Sequence, residues 1–141
     1  MANFWPLRTP GDPKGFHALL DQTTCEPLIS FHVLKLFASR FGTQLLASKP
    51  SSGAASPWAG MSDDGKRLTL LVVNKSPLPR ELMLDVALRG FAPRAATASA
   101  LTCPETTSEQ FQEGKLAPTA DGDCWRCRLP PHSLGVLEFT R

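Results

Sequence analysis

The end of the chain constrains the fold most strongly. Pro130 and Pro131 stand side by side, and an alternating apolar run follows them from Ser133 to Thr140. Proline donates no backbone hydrogen bond and interrupts a sheet, whereas a period of two is typical of a β-strand. The pattern predicts two strands, residues 123–129 and 133–140, joined by a tight turn as a closing hairpin.

The same period of two recurs from residue 43 onward. Asp64 and Gly65 lie between two strand-like runs, and this pair is a strong signal for a β-hairpin turn. Residues 104–122 are polar and contain Gly114 and Pro118, which predicts a long loop with one short strand near Lys115. The other predicted strands cover residues 44–48, 54–62, 67–74, 80–88 and 94–102.

The first part of the chain has a different pattern. Apolar residues recur at spacings of three and four over residues 27–41, which predicts an amphipathic helix. Thr24 is a suitable N-cap, Pro27 suits the first turn, and Gly42 stands where a helix C-cap glycine is expected. Residues 3–7 are apolar and aromatic and predict a short strand.

One helix and about seven short strands predict a mainly β protein. We expect a two-sheet antiparallel β-sandwich, jelly-roll-like, with an N-terminal strand-plus-helix appendage. A single open sheet of this size would leave one apolar face in water, which is unfavourable. The expected domains are residues 1–42 for the appendage and residues 43–141 for the sandwich.

Composition excludes several partners. The 141 residues carry a formal net charge of +2, and no cluster of Lys and Arg stands out, so neither nucleic acid nor an anionic membrane is an expected partner. No apolar run approaches the ~20 residues of a membrane span. Residues 1–7 lack the basic start and long apolar stretch of a signal peptide, so the default expectation is a cytoplasmic location.

Two motifs require a chemical interpretation. Asp63 and Asp64 are adjacent carboxylates in a predicted turn, where water keeps pKa values ordinary, so we interpret them as turn residues rather than catalysts. Cys124 and Cys127 form a C-x-x-C motif without the second Cys/His pair that a zinc site needs. Residues three apart on a strand point to opposite faces, so they are interpreted as unpaired strand cysteines. A long-range disulfide from Cys103 to one of them is the alternative.

The histidines give no pattern of a catalytic or metal site. His17, His32 and His132 lie in three different predicted elements, with no carboxylate or nucleophile arranged around them. Ser133 follows His132 but lacks the glycine-flanked elbow of a nucleophilic serine, so we expect it to hydrogen-bond its own turn. No catalytic residue, metal or cofactor is predicted.

Residues 59–76 contain a strand, an Asp-Gly turn and the run Leu-Thr-Leu-Leu-Val-Val-Asn. This segment resembles the central hairpin of the C-terminal β-sandwich of family 51 α-L-arabinofuranosidases and related barrel glycoside hydrolases. Leu129-Pro130-Pro131-His132-Ser133-Leu134 resembles the L-P-P-x-S-V/L turn of the same domain. The resemblance extends over residues 43–140.

The resemblance also suggests a place for the first residues. In such enzymes the sandwich follows the last strand and helix of a (β/α)8 barrel, so residues 1–42 would be the last β/α unit. Trp5 would then line the sugar subsite at the end of the eighth strand. The catalytic Asn-Glu pair of these enzymes does not occur in this sequence. The resemblance therefore implies a non-catalytic accessory domain of a glycoside hydrolase.

Three functions follow, in order of preference. In the first, the domain packs on a catalytic barrel, or on a second copy, through Phe31, Phe37 and Phe41 of the helix over residues 27–41. In the second, it is a carbohydrate-binding module in which Trp58 or Trp125 stacks on sugar rings, although both rings could instead fill the core. A self-standing small enzyme is the least favoured reading, because no residue set supports it.

Overall fold

The computed structural model describes residues 18–76, 78–105, 108 and 110–141. The chain divides into two compact units, and the boundary lies between Ser39 and Arg40. The strand predicted for residues 3–7, together with Trp5 and His17, lies outside the described residues.

The predicted helix is confirmed as α1, Ile29–Arg40, but it begins later than expected. Leu20 forms an antiparallel bridge with Pro27, which keeps Pro27 extended and outside the helix. Thr24 is not the N-cap, because it lies in a turn organised by Asp21. The Asp21 carboxylate accepts hydrogen bonds from the backbone N–H groups of Thr23 (2.8 Å) and Thr24 (2.7 Å).

The end of the helix is as predicted. Gly42 has a φ of +84°, the left-handed conformation that glycine adopts without strain after a helix. A Cβ atom at Gly42 would also lie 2.6 Å from the carbonyl oxygen of Met61. Both the backbone conformation and the lack of space therefore require glycine at this position.

Nine strands are present in the part of the chain that the structure describes. They are β1 Gln44–Leu46, β2 Ala55–Met61, β3 Arg67–Asn74, β4 Leu82–Ala87, β5 Ala95–Thr102, β6 Gln112–Leu116, β7 Thr119–Asp121, β8 Cys124–Leu129 and β9 Ser133–Thr140. The Asp-Gly hairpin between β2 and β3 and the short strand near Lys115 are confirmed.

The strands form two antiparallel sheets. The large sheet has the order β1-β2-β3-β9-β5-β6, and the small sheet has the order β4-β8-β7. Their facing sides share one apolar core, which confirms the mainly β, two-sheet sandwich with a helical appendage. Its most buried members include Leu70, Val72, Leu137 and Phe139 from the large sheet and Leu84, Cys127 and Leu129 from the small sheet.

The predicted closing hairpin is wrong. β8 lies in the small sheet, whereas β9 pairs with β3 and β5 in the large sheet. The Pro130-Pro131 turn, together with His132 at a φ of +48°, therefore carries the chain from one sheet to the other. Nor does β9 alternate in burial, because Val136 is 1% exposed on one face and Leu137 is 0% exposed on the other. Periodicity indicates a strand but not its neighbours.

Strand β7 was missed, since residues 104–122 were expected to contain one strand only. Thr119, Ala120 and Asp121 are all exposed, so the segment carries no apolar period. The strand forms because its backbone pairs with β8 through Thr119 and Arg126 at one end and Asp121 and Cys124 at the other.

Candidate interaction surfaces

Trp58 lies on the side of the large sheet that faces away from the small sheet, which we call the outer face. It is opposite Leu71 on β3, and the same row continues through Val136 to Ser99. Leu71 is 0% and Val136 1% exposed, whereas Trp58 is 39% exposed. The outer face is thus buried at its centre and presents an accessible indole towards the β1 edge, near the exposed Leu45.

The chain at Arg40 and Phe41 is anchored on the outer face. The Thr69 hydroxyl donates a 2.7 Å hydrogen bond to the Arg40 carbonyl, and the Arg40 guanidinium lies 3.3 Å from the Glu138 carboxylate. A Cβ atom on Gly60 would lie 1.9 Å from the Phe41 carbonyl oxygen. Glycine at position 60 therefore allows the backbone to approach the sheet closely.

Trp125 occupies a different environment. It lies on β8 between Val86 and Ala120, and its ring makes an edge-to-face contact with Phe139 at 5.9 Å between centroids. The side chain is partly buried and packs against the core. From the sequence, Trp58 and Trp125 are equivalent candidates for stacking on sugar rings, but the structure places them on opposite sides of the large sheet.

Helix α1 combines an apolar surface with low burial. At 100° per residue its apolar side chains span an arc of about 220°, whereas a surface helix needs an apolar stripe of roughly 100°. They are Ile29, Phe31, Val33, Leu34, Leu36, Phe37 and Ala38. None of the twelve helical residues, all of them described, is buried. Phe31 and His32 stack edge to face at 5.6 Å.

The face of the small sheet that points away from the core is charged. Arg126 lies 2.7 Å from Asp85 and 3.0 Å from Asp121, and Arg128 lies 3.2 Å from Glu81. The hydrogen bond and charge of Asp85 raise the pKa of Arg126. A ladder of exposed ion pairs is typical of a solvated face, and Met83, which pairs with Arg128, is an exposed apolar residue among them.

The adjacent aspartates hold the β2–β3 turn. The Asp64 carboxylate accepts hydrogen bonds from the Ser62 hydroxyl (2.6 Å) and the Lys66 N–H (3.0 Å), and these bonds lower the pKa of Asp64. Asp63 accepts a hydrogen bond from the Thr43 hydroxyl. A lowered pKa keeps Asp64 ionised, so it lacks the proton of a general acid.

All four cysteines are free thiols. Cys127 is 1% exposed in the core, whereas Cys124 faces the other side of β8, as the spacing of three requires. The alternative disulfide from Cys103 is absent from the described residues, and burial raises the pKa of the Cys103 thiol. Over the described residues no group of three His, Cys, Asp or Glu side chains could hold a metal ion.

Asn74 was not singled out from the sequence, yet it connects three segments. Its side-chain N–H groups donate to the carbonyls of Arg80 (3.0 Å) and Pro130 (2.8 Å), and its oxygen accepts from the Ser76 N–H (3.0 Å). Asn74 is 6% exposed. The signal available in the sequence was an amide residue at the end of a continuous apolar strand.

The hydrogen bonds of Asn74 also involve the Pro130-Pro131 turn. The Ser133 hydroxyl donates a 2.6 Å hydrogen bond to the Pro130 carbonyl, which confirms that Ser133 bonds its own turn. Pro130 therefore accepts hydrogen bonds from both Asn74 and Ser133. The two sequence motifs of the resemblance meet at one carbonyl oxygen.

No family model and no curated protein matches the sequence. Solved structures of glycoside hydrolases share the fold. A family 30 subfamily 8 xylanase from Clostridium acetobutylicum superposes with a TM-score of 0.69 at 12% identity, over 89% of this chain and 31% of that chain. A family 44 xyloglucanase from Paenibacillus polymyxa gives a TM-score of 0.60 at 22% identity, over 73% of this chain and 20% of that chain. A family 51 arabinofuranosidase from Xanthomonas axonopodis pv. citri gives a TM-score of 0.54 at 19% identity, over 70% of this chain and 21% of that chain.

The chain spans about a third or less of the length of these solved structures. Its fold is therefore one that occurs as part of larger glycoside hydrolase chains. The likeness extends over families 30, 44 and 51, so it does not single out family 51, which the sequence motifs suggested. Among the described residues, no helix is long and apolar enough to cross a membrane.

Proposed function

We propose that this chain is a non-catalytic accessory domain of a glycoside hydrolase that packs on, and stabilises, a catalytic (β/α)8 barrel. The proposal is supported by the shared fold and by the small part of each glycoside hydrolase that the chain matches. Residues 1–42 would be the last β/α unit of that barrel, and Trp5 would belong to its sugar subsite. The hairpin and Pro-Pro motifs favour an arabinofuranosidase-like enzyme within this class.

The observation that carries the proposal is the apolar arc of α1. The apolar arc of the helix is about twice as wide as the stripe that a surface helix needs to pack on one neighbour. None of the helical residues is buried, so part of this apolar surface is exposed. Apolar surface of this kind is typical of a protein interface. We expect it to meet neighbouring helices of the barrel, or a second copy when the barrel is missing.

Sedimentation velocity of the full chain tests this packing role. We expect concentration-dependent self-association. L36Q, which places a polar group in the apolar arc, should raise the dissociation constant at least fivefold. The matched control is K35Q, because Lys35 is exposed on the polar side of the same helix. A chain that stays monomeric at high concentration, or an equal effect of both variants, would contradict the role proposed for the helix.

A carbohydrate-binding module is the second candidate, and one observation favours it. Trp58 presents 39% of its surface on a sheet face, beside Leu45, which is 75% exposed. Flat aromatic rings on such a surface can stack on sugar rings. Trp125 is a weaker candidate for this role because it packs against Phe139.

Affinity electrophoresis of the full chain through gels with arabinoxylan, arabinan, xyloglucan or β-glucan distinguishes the two candidates. Retardation in one gel that W58A abolishes and L78A retains supports the binding module, since Leu78 is also exposed, at 62%. Unchanged mobility in all four gels removes the binding module and leaves the packing role.

A further inference from the structure

Three cations stand side by side at one end of the large sheet. Thr140 pairs with Arg67 on one side and with Ala95 on the other. Lys66 therefore precedes β3, Arg141 follows β9, and Arg94 precedes β5, in a row across three adjacent strands. Two backbone hydrogen bonds fix the row, from Arg141 N–H to the Lys66 carbonyl (3.1 Å) and from Arg94 N–H to the Thr140 carbonyl (2.7 Å).

The row borders an open groove of about 650 Å³. The loop between β4 and β5 forms its apolar wall, through Leu88, Phe91 and Ala92. The Arg141 guanidinium lies 4.5 Å from the centre of the Phe91 ring and donates a 2.9 Å hydrogen bond to the Gly90 carbonyl. These two contacts orient one guanidinium in the groove before any ligand arrives.

No described side-chain carboxylate lies within 4.0 Å of the charged groups of this row, although the charge of Asp64 acts on Lys66. Elsewhere, Arg40, Arg67, Arg126 and Arg128 each have a carboxylate within 4.0 Å. In the described part of the chain, no ion pair of this length involves Lys66, Arg94 or Arg141. Asp64 is near Lys66 in sequence. Its carboxylate accepts hydrogen bonds from the Ser62 hydroxyl and the backbone N–H of Lys66, and the charge of Lys66 also helps to lower the pKa of Asp64, so Arg94 and Arg141 are the two cations of the row without such an influence from a described acid.

Strands in a sheet lie about 4.8 Å apart, so the Cα atoms of the three cationic residues lie within roughly 10 Å of one another. Like charges this close favour an anion between them. Guanidinium groups bind carboxylates through paired hydrogen bonds, and the apolar wall can contact the C–H face of a sugar ring. The groove volume lies in the range of about 300–1,000 Å³ that is usual for small-ligand sites.

We propose that this groove binds an acidic saccharide, with the carboxylate of a uronic acid residue held by Lys66, Arg94 and Arg141 and the sugar ring against the wall at Leu88 and Ala92. The site shares no residue with the Trp58 surface or with helix α1. It does not depend on the packing role proposed above, because all of its residues lie in the second compact unit.

The test is affinity electrophoresis of the full chain through polygalacturonate gels, with fully methyl-esterified pectin as the uncharged comparison. We expect retardation by polygalacturonate and none by the ester. The double variant K66Q/R94Q should weaken retention at least tenfold. The double variant K75Q/R128Q loses the same charge outside the groove and should change retention by no more than twofold.

Four results would overturn the proposal. Equal losses in the two double variants would mean attraction by net charge alone, and equal retardation by polygalacturonate and its ester would mean that the carboxylate is not recognised. No retardation in either gel would exclude the site. Competition by inorganic phosphate as strong as competition by galacturonate oligosaccharides would assign the groove to phosphate instead. A tail of Gly and Ser added after Arg141 should leave retention unchanged, because side chains carry the binding.

Discussion

Asn74 gives the sharpest test of how the sandwich is held together. Its side chain makes hydrogen bonds to Arg80, Pro130 and Ser76, between β3, the β3–β4 connection and the Pro-Pro turn. We predict that N74A removes all three bonds while leaving the three backbone partner groups in place. Because each such bond contributes about 1 kcal/mol net, the expected loss is about 3 kcal/mol in the free energy of unfolding.

The loss can be compared with a smaller one at the same carbonyl. S133A removes one donor to Pro130, at 2.6 Å, so we expect it to cost about 1 kcal/mol. A loss of 3 kcal/mol is a large fraction of the roughly 5–15 kcal/mol of a typical domain. At roughly 4 °C per kcal/mol for a chain of this size, N74A should lower Tm by about 12 °C.

The variant N74D separates hydrogen bonding from side-chain size. Its carboxylate keeps an acceptor for Ser76 but faces two carbonyl oxygens to which an ionised carboxylate cannot donate hydrogen bonds. Burial and these carbonyls raise its folded-state pKa above the ordinary value of about 3.9. The variant is therefore destabilised at pH 7. It regains stability as the pH falls through the raised pKa, because the carboxylate takes up its proton more readily in the folded state than in the unfolded state.

The assay is urea unfolding followed by tryptophan fluorescence, with the midpoint and slope fitted separately. A lower midpoint at an unchanged slope is the expected result for N74A and S133A. A cost below 1 kcal/mol for N74A would refute the reasoning. So would an N74D variant as stable as the parent at pH 7, or one whose stability relative to the parent falls on acidification.

Three further predictions concern other positions. G60A should lower stability by more than about 2 kcal/mol, because its Cβ would lie 1.9 Å from the Phe41 carbonyl, whereas G114A, with nothing within 4 Å, should stay within about 0.5 kcal/mol in the same unfolding assay. The pKa of Asp64, measured by NMR, should lie below its ordinary value, and S62A should raise it, so a pKa unchanged by S62A would contradict the turn contacts. The stabilisation that Asp64 contributes is complete above its unfolded-state pKa and is lost as the pH falls through the lowered folded-state pKa. Alkylation at neutral pH should modify the exposed Cys25 first and the buried Cys127 last, since burial raises the pKa of Cys127, and mass spectrometry showing Cys127 modified early would oppose its place in the core.

The candidate surfaces were only partly accessible from the sequence. The wide apolar surface of α1 follows from local spacing, so the helix could be proposed as an interface before the structure was known. The difference between Trp58 and Trp125 could not, because it depends on which sheet each strand joins. The cation row is likewise invisible in the sequence, where Lys66, Arg94 and Arg141 are far apart.

Local patterns in the sequence determined the elements themselves. A period of 3.6 with Gly42 determined α1 and its end, and a period of two with the Asp64-Gly65 pair determined β2, β3 and their turn. Those signals are sufficient because helix ends and hairpin turns depend on backbone conformations of a few adjacent residues. The mainly β class follows from them, since short amphipathic strands must bury one face.

Only the tertiary structure decided the partners. Pro130 and Pro131 look the same in the sequence whether the chain folds back as a hairpin or crosses to the other sheet, and here it crosses. The choice is made by long-range pairing of β9 with β3 and β5, by the apolar core between the sheets, and by Asn74, which reaches 56 residues along the chain to the Pro130 carbonyl. Hydrogen bonds and buried contacts between distant residues carry no local signature, which is the physical reason why the sequence alone left them open.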